Sequence, residues 1–357
     1  MRILLLANKG SNHAKKIAEG IADRGHHVFF VSPNDKADCS VKLNSKIRLI
    51  TLKYGGKKGY VFNALELRRL YKLIKPDVVN VHYASGCGLL ASLAGLHPKV
   101  LSCYGSDIFE FPHLSRLNYF VLRHVLNNAD ALASTSYAMA EEIRRLINDK
   151  SRKITITPFG VDIDRFKTLE RCDNERPVIG IIKSFMPIYD IPLLINAFAI
   201  VSQQSIFNPV LRIYGDGPLK DELLQLTTSL NIDSSVEFRG RIPNEEVPIA
   251  LGKMDVFVNC SKQESFGVNI LEAMACGIPV VATDCVGPKE ILEDGVSGVI
   301  LKERTPECLA ETIIRLLEDE SMRIKMGRAG RKRVCEKYDW SKNILTLENL
   351  LELNCKK

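Results

Sequence analysis

The stretch Asn259-Cys260-Ser261-Lys262-Gln263-Glu264-Ser265-Phe266-Gly267-Val268-Asn269-Ile270-Leu271-Glu272-Ala273-Met274-Ala275-Cys276-Gly277-Ile278-Pro279 decides the fold class. A short apolar run, Val256–Asn259, leads into a polar loop; Val268–Cys276 then reads as a helix that Gly277-Ile278-Pro279 stops, and Val280–Ala282 is again strand-like. Strand, loop, helix and strand in so few residues form the unit of a parallel sheet with crossover helices.

The same alternation extends on both sides. Val178–Ile182, Val210–Tyr214, Val236–Phe238 and Val299–Leu301 read as further strands, and Asn196–Val201 and Leu219–Leu230 continue the alternation. An earlier set repeats the pattern: Ile3–Ala7, Val28–Ser32, Asp77–Val81, Val100–Cys103 and Ala131–Thr135, with amphipathic stretches such as His13–Arg24 between them. The periodicity lapses in Phe166–Pro177, where the run from Glu170 to Arg176 is nearly all polar. The expected organisation is two doubly wound α/β domains, residues 1–172 and 173–338, with the boundary near Asp173. Beyond Leu301 the pattern is helical, over Thr305–Leu317, Ser321–Lys337 and Trp340–Leu353, and the segment 339–357 is expected to cross back to the first domain. Open parallel sheets bind ligands beyond the C-terminal ends of their strands, so a cleft between facing domains is the expected reactive space.

Composition narrows the classes. Of the 357 residues 46% are hydrophobic and 25% charged, as in soluble globular proteins rather than disordered chains. The longest apolar runs are strand-length, well short of the roughly 20 residues that span a bilayer. Met1-Arg2 leads directly into a strand rather than a secretory leader, and ten cysteines are scattered without a Cys-x-x-Cys pair, so a cytoplasmic location with reduced thiols is expected. The net charge of +7 is uneven: residues 1–160 hold 24 Lys and Arg against 12 Asp and Glu, and the remainder 25 against 30. A basic first half suits nucleic acid, an anionic membrane surface or a phosphate-bearing ligand.

Within the opening stretch, Glu264 falls in the loop, Gly267 near the helix start and Glu272 on the helix. The amides and positive dipole end of that helix then face whatever the two carboxylates flank, which fits a diphosphate beside a polyhydroxyl ligand. The Glu-x(7)-Glu spacing, Ser265-Phe266-Gly267, and the run Glu272-Ala273-Met274-Ala275-Cys276-Gly277-Ile278-Pro279-Val280-Val281-Ala282-Thr283 resemble the donor site of the family 4 retaining glycosyltransferases. The resemblance covers nearly the whole chain: Pro158-Phe159-Gly160-Val161-Asp162 resembles the family's Pro-Asn-Gly-Val-Asp segment, Gly215-Asp216-Gly217-Pro218 its Gly-Asp-Gly-Pro turn, and Val236–Ile242 the strand and loop near the donor's base.

The resemblance implies the GT-B fold, two Rossmann-like domains facing a cleft, and a nucleotide-sugar donor, most commonly a UDP-sugar. It further implies transfer with retention of configuration, in which the leaving diphosphate takes the acceptor proton, and no metal or other cofactor. The donor-binding residues it implies are Gly10, Lys183, Gly215, Arg241, Ile242, Glu264, Ser265, Phe266, Gly267, Val268 and Glu272. Its catalytic set is Glu264, Lys183, His82, Tyr104 and Asp107. The chain departs from the family in three places: Lys183 stands at an Arg position, Tyr189 where a second cation would be, and Tyr104 where many members carry a histidine. His82 is a second candidate for that histidine's place, and Asp107 reads either as a contact to a substrate hydroxyl or as a cap of the following turn. Ser11 or Asn12 reads as a helix N-cap beside Gly10.

For the acceptor, the basic amphipathic stretch Leu65–Lys75 and the aromatic and cationic stretch Arg116–Arg123 suit a peripheral enzyme at the inner membrane face acting on a lipid-linked or polysaccharide acceptor. A transferase making a soluble disaccharide, sugar phosphate or storage glucan, and a non-catalytic nucleotide-sugar-binding or scaffold protein, remain as alternatives. No nucleic-acid-binding motif accompanies the basic residues.

Overall fold

The structure, a computed structural model, describes residues 1–33, 44–168 and 175–356. It divides into two compact units, one formed by Met1–Pro158 with Ser341–Lys357 and the other by Phe159–Trp340. Asp173, where the sequence pattern places the boundary, lies outside the described residues.

The first unit is a seven-stranded parallel sheet of β1 (Arg2–Leu6), β2 (His27–Ser32), β3 (Ile47–Thr51), β4 (Val78–His82), β5 (Lys99–Cys103), β6 (Ala131–Ser134) and β7 (Ile154–Ile156), in the order β3-β2-β1-β4-β5-β6-β7. Alternate residues along the strands feed opposite faces. Leu4, Leu6, Val79, Val81, Leu101 and Leu132 pack with Leu67, Leu90, Leu122, Val125 and Ile143 from the crossover helices in one buried cluster. Two strands were not foreseen, β3 and β7. Both lie at sheet edges, β3 is only half-buried and includes Arg48, and β7 has three residues, so neither needs the apolar run by which central strands are recognised.

The last helix, Trp340–Leu353, belongs to the first unit from Ser341 onward. Its buried Glu348 meets the His26 ring at 2.6 Å and pairs with Arg24, and the Lys356 amide donates to the Asp77 carbonyl at 3.0 Å. Burial alone would raise the Glu348 carboxyl, but hydrogen bonds and charge from His26 and Arg24 together hold it below the usual carboxylate range.

The second unit is a six-stranded parallel sheet of β8 (Val178–Ile182), β9 (Val210–Tyr214), β10 (Val236–Gly240), β11 (Val256–Asn259), β12 (Val280–Ala282) and β13 (Val299–Ile300), in the order β10-β9-β8-β11-β12-β13. Helices Ile191–Gln204 and Pro306–Glu318 bury one face with Ile179, Ile181, Leu211, Ile213 and Val258. Helix Val268–Ala275 lies in the cluster with Val178, Phe257, Val280 and Ala282 on the other. The segment after Pro158 is bound into this unit. Val161 and Trp340 exchange backbone hydrogen bonds with Tyr338 and Val161, and a Cβ at Gly160 would meet the Trp340 Cα at 2.5 Å. Arg331 donates to the carbonyls of Phe166 at 2.9 Å and Ile163 at 3.3 Å, and to that of Ala275.

The described cysteines are free thiols, and among the described residues no helix is long and apolar enough to cross a membrane.

Candidate active site

In each unit the strand order reverses direction once, between β1 and β4 in the first and between β8 and β11 in the second. In a doubly wound sheet such a reversal is the usual ligand position, since the loops leaving the paired strands go to opposite sides. The sequence-derived candidates fall on these loops or beside them.

In the second unit Lys183 directly follows β8 and Glu264 lies in the loop after β11. Lys183 Nζ reaches Glu264 Oε2 at 2.7 Å, and both side chains are 15% exposed. The turn after β9 aims the lysine. The Lys183 amide donates to the Tyr214 carbonyl at 2.9 Å and the Phe185 amide to the Asp216 carbonyl at 3.0 Å. A Cβ at Gly215, whose φ is 144°, would lie 1.9 Å from the Lys183 carbonyl oxygen, so only glycine lets the two chains approach this closely.

The Glu264 loop is equally constrained. Phe266 is buried, edge-on to Phe159 at 5.4 Å and to Tyr338 at 6.1 Å between centroids, so its ring anchors the loop in the core. The Gly287 amide donates to the Glu264 carbonyl at 2.8 Å. Gly267, at φ 101°, then starts helix Val268–Ala275 with no side-chain hydrogen bond to cap it, while its carbonyl already takes the Ile270 and Leu271 amides at 3.0 and 3.3 Å. Ser265 is half-buried in the loop, Val268 packs partly into the core, and Glu272 is half-buried one turn into the helix. Arg241 and Ile242 follow the edge strand β10, separated from β11 by β9 and β8; Arg241 is 78% exposed and 3.9 Å from Asp216.

Two residues here, Asn269 and Asp190, escaped the sequence reading. Asn269 donates to the Ile182 carbonyl at 3.3 Å and meets Asn259 at 3.3 Å, tying the helix to the ends of β8 and β11. Asp190, in a left-handed conformation with φ 45°, pairs with Arg304 and lies 3.8 Å from Lys262. Short polar side chains after strands are common, so neither of these stands out before the fold brings them together.

The crevice of the first unit has a different character. His82 ends β4, is 1% exposed, and its Nε2 meets Asn80 Oδ1 at 2.9 Å. Asn80 in turn donates to Ser102 Oγ at 2.9 Å. Burial, and secondarily the nearby His13, lowers His82 to about 3, so the ring is neutral at physiological pH. Tyr104 stands edge-on to His82 at 4.9 Å, and burial pushes its hydroxyl well above the ordinary range against the opposing hydrogen bond with Ser102. Asp107 is 1% exposed and takes amide hydrogen bonds from Ala84 at 2.8 Å, Tyr104 at 3.1 Å and Gly105 at 2.9 Å. These amides all precede it and helix Ser106–Phe109 has no side-chain cap, so Asp107 does not cap the following turn but fastens the loop after β4 to the loop after β5.

Gly10 lies exposed in the loop after β1, and Ser11 caps the following helix by accepting from the Ala14 amide at 3.3 Å. Tyr60, also unforeseen, hydrogen-bonds Asn8 at 3.3 Å and covers Gly86, where a Cβ would meet its ring at 2.5 Å.

Among the described residues one set of His and carboxylate atoms lies close enough together to suggest a metal, His26, Glu348 and Glu352. Arg24 already pairs with Glu348 and the N-terminal amine lies 3.0 Å from His26 Nδ1, so cationic groups stand where a metal would bind.

Two Rossmann-like units, one with a lysine–glutamate pair beside an uncapped helix at its switch point, define a GT-B glycosyltransferase. Comparison with known proteins agrees. The model for glycosyl transferases group 1 matches residues 162–333 and that for glycosyl transferase 4-like proteins residues 2–136, and the chain belongs to this family. It is 27% identical to N-acetyl-α-D-glucosaminyl L-malate synthase of Bacillus anthracis over 94% of this chain and 91% of that one. Among solved structures it resembles sucrose-phosphate synthase from Thermosynechococcus elongatus, with a TM-score of 0.85 at 19% identity over 99% and 98% of the two chains. It also resembles the Anabaena protein HepE in complex with UDP and glucose, with a TM-score of 0.78 at 20% identity over 99% and 100%.

Proposed function

We propose that this glycosyltransferase transfers a hexosyl group, with retention of configuration, from a UDP-sugar to a lipid-linked or polysaccharide acceptor in cell-surface polysaccharide synthesis. The observation that carries the donor half is the Lys183–Glu264 pair, 2.7 Å apart at the switch point of the second unit and next to the uncapped helix at Gly267. The helix amides and Lys183 neutralise the diphosphate as it leaves, and Glu264 and Glu272 accept hydrogen bonds from sugar and ribose hydroxyls. The departing phosphate takes the acceptor proton, so the protein's part is positioning and charge stabilisation, and no metal is needed in this scheme. The UDP complex of HepE supports the choice of nucleotide.

The acceptor half rests on the first unit. Leu65, Leu117 and Phe120 are 70%, 71% and 63% exposed beside Arg68, Arg69, Arg116 and Arg123. Apolar side chains set among cations suit the inner face of an anionic membrane, where a lipid-linked acceptor is presented. A soluble hydroxy-acid or sugar acceptor is the second reading, favoured by the malate synthase relative.

Transfer assays with a panel of UDP- and GDP-sugars, offering lipid-linked diphosphate sugars and L-malate as competing acceptors, separate the two. Turnover only on the soluble acceptor, or co-sedimentation no better with anionic than with neutral vesicles, refutes the lipid-linked reading. Binding of a nucleotide sugar without transfer or donor hydrolysis would leave a non-catalytic binding protein.

A further inference from the structure

The resemblance puts a second cation at residue 189, beside the one at residue 183, and this chain has a tyrosine there. Lys183 Nζ lies 4.4 Å from the centroid of the Tyr189 ring while it holds Glu264 Oε2 at 2.7 Å. The ring and the carboxylate thus grip one ammonium from two directions.

This grip addresses a weakness of the lysine. Arginine presents a rigid planar fork, whereas lysine carries a point charge on a flexible four-carbon stem and points where its surroundings hold it. An aromatic face attracts the ammonium through its quadrupole without adding net charge. A second carboxylate in this position would oppose an arriving anion, and a second cation would repel Lys183 before the anion arrived. The ring does neither, and among the described residues Glu264 is the one hydrogen-bond partner of the Lys183 ammonium, which has three N–H donors.

Tyr189 is itself well fixed. It closes the short turn Pro187–Tyr189, its amide donating to the Met186 carbonyl at 3.0 Å. The Ile188 carbonyl accepts from the Lys262 amide at 2.7 Å, and the Tyr189 carbonyl from Cys260 Sγ at 3.4 Å. Both donors lie in the loop that also carries Glu264, so ring and carboxylate are set on one framework.

The geometry points to Tyr189 as a positioning residue that aims Lys183 at the donor diphosphate, in the place where the family has a second cation. The inference rests on the donor-site reading above. Its test is calorimetric binding of UDP, with GDP in parallel, and of uridine, to the full chain and to Lys183→Ala, Tyr189→Phe and Tyr189→Leu, with thermal unfolding as the folding control. Tyr189→Leu should weaken nucleoside diphosphate binding about fivefold and leave uridine unchanged, and Tyr189→Phe should stay within about twofold of the parent.

If Lys183→Ala loses affinity while Tyr189→Leu keeps it, the role of Tyr189 is overturned and the donor site stands. Equal loss of UDP and uridine in Tyr189→Leu, or a Phe variant as weak as Leu, also overturns it. If neither nucleoside diphosphate binds the parent, or Lys183→Ala binds as the parent does, the donor-site reading falls and this inference with it.

Discussion

The two switch points of this chain share a topology and differ in chemistry. In each unit the first strand pairs with the second and the fourth, so the loops after β1 and β4, like those after β8 and β11, flank the reversal. The second unit lines its reversal with ionised groups, Lys183, Glu264 and Asp190, and with an uncapped helix. The first unit instead buries rings at its own: His82, lowered to about 3 by burial, and the protonated Tyr104, with Tyr60 on Asn8. One topology therefore carries ion pairs at one reversal and buried rings at the other, and the difference lies in the side chains.

That contrast breaks most readily at the charged crevice. Lys183→Ala should lower kcat/KM for the nucleotide sugar about a hundredfold, on the order of 3 kcal/mol, with little change in melting temperature. Glu272→Ala should abolish donor binding measured by thermal shift with UDP, and normal binding in that variant would refute the donor site. Gly215→Ala drives a Cβ to within 1.9 Å of the Lys183 carbonyl and should cost about 2 kcal/mol in urea unfolding while weakening UDP. Gly295→Ala has open space around it and should leave UDP binding intact.

The contrast at the first unit's buried rings is sharpened by pH. His82 titrates at about 3 when folded against 6.5 ordinarily, so the unfolded chain takes up the proton first. Its contribution to stability is therefore fully present above about pH 6.5 and is lost at about 1.4 kcal/mol per pH unit as pH falls toward 3. His82→Asn should flatten the stability profile between pH 6.5 and 5 in urea titrations; an unchanged slope would mean that the ring is not held neutral. The smallest effect belongs to Ser136, whose hydroxyl accepts from the Met139 amide at 3.1 Å at the start of helix Tyr137–Ile147. Ser136→Ala should cost about 1 kcal/mol of stability with unchanged UDP affinity.

Central strands and the long C-terminal helices were legible because each carries its own periodic signal, as at Val256–Asn259 and Val268–Ala275. The edge strands β3 and β7 were not, since a strand exposed along one side needs little apolar sequence. At the site, Glu264, Gly267 and Glu272 sit within one strand–loop–helix unit and could be read together. Asn269, Asp190 and Tyr60 gain meaning only from partners far along the chain, such as Ile182, Arg304 and Asn8.

The sequence by itself determined the class, two doubly wound α/β units with the family's motif at Glu264–Glu272, because local periodicity and a dense motif encode both. The tertiary structure decided what the residues at the departures from the family pattern touch. It set Tyr189 against Lys183, buried His82 into neutrality and turned Asp107 inward onto three amides. Each of these depends on the distance and burial of residues from separate loops, which only the packed sheet defines.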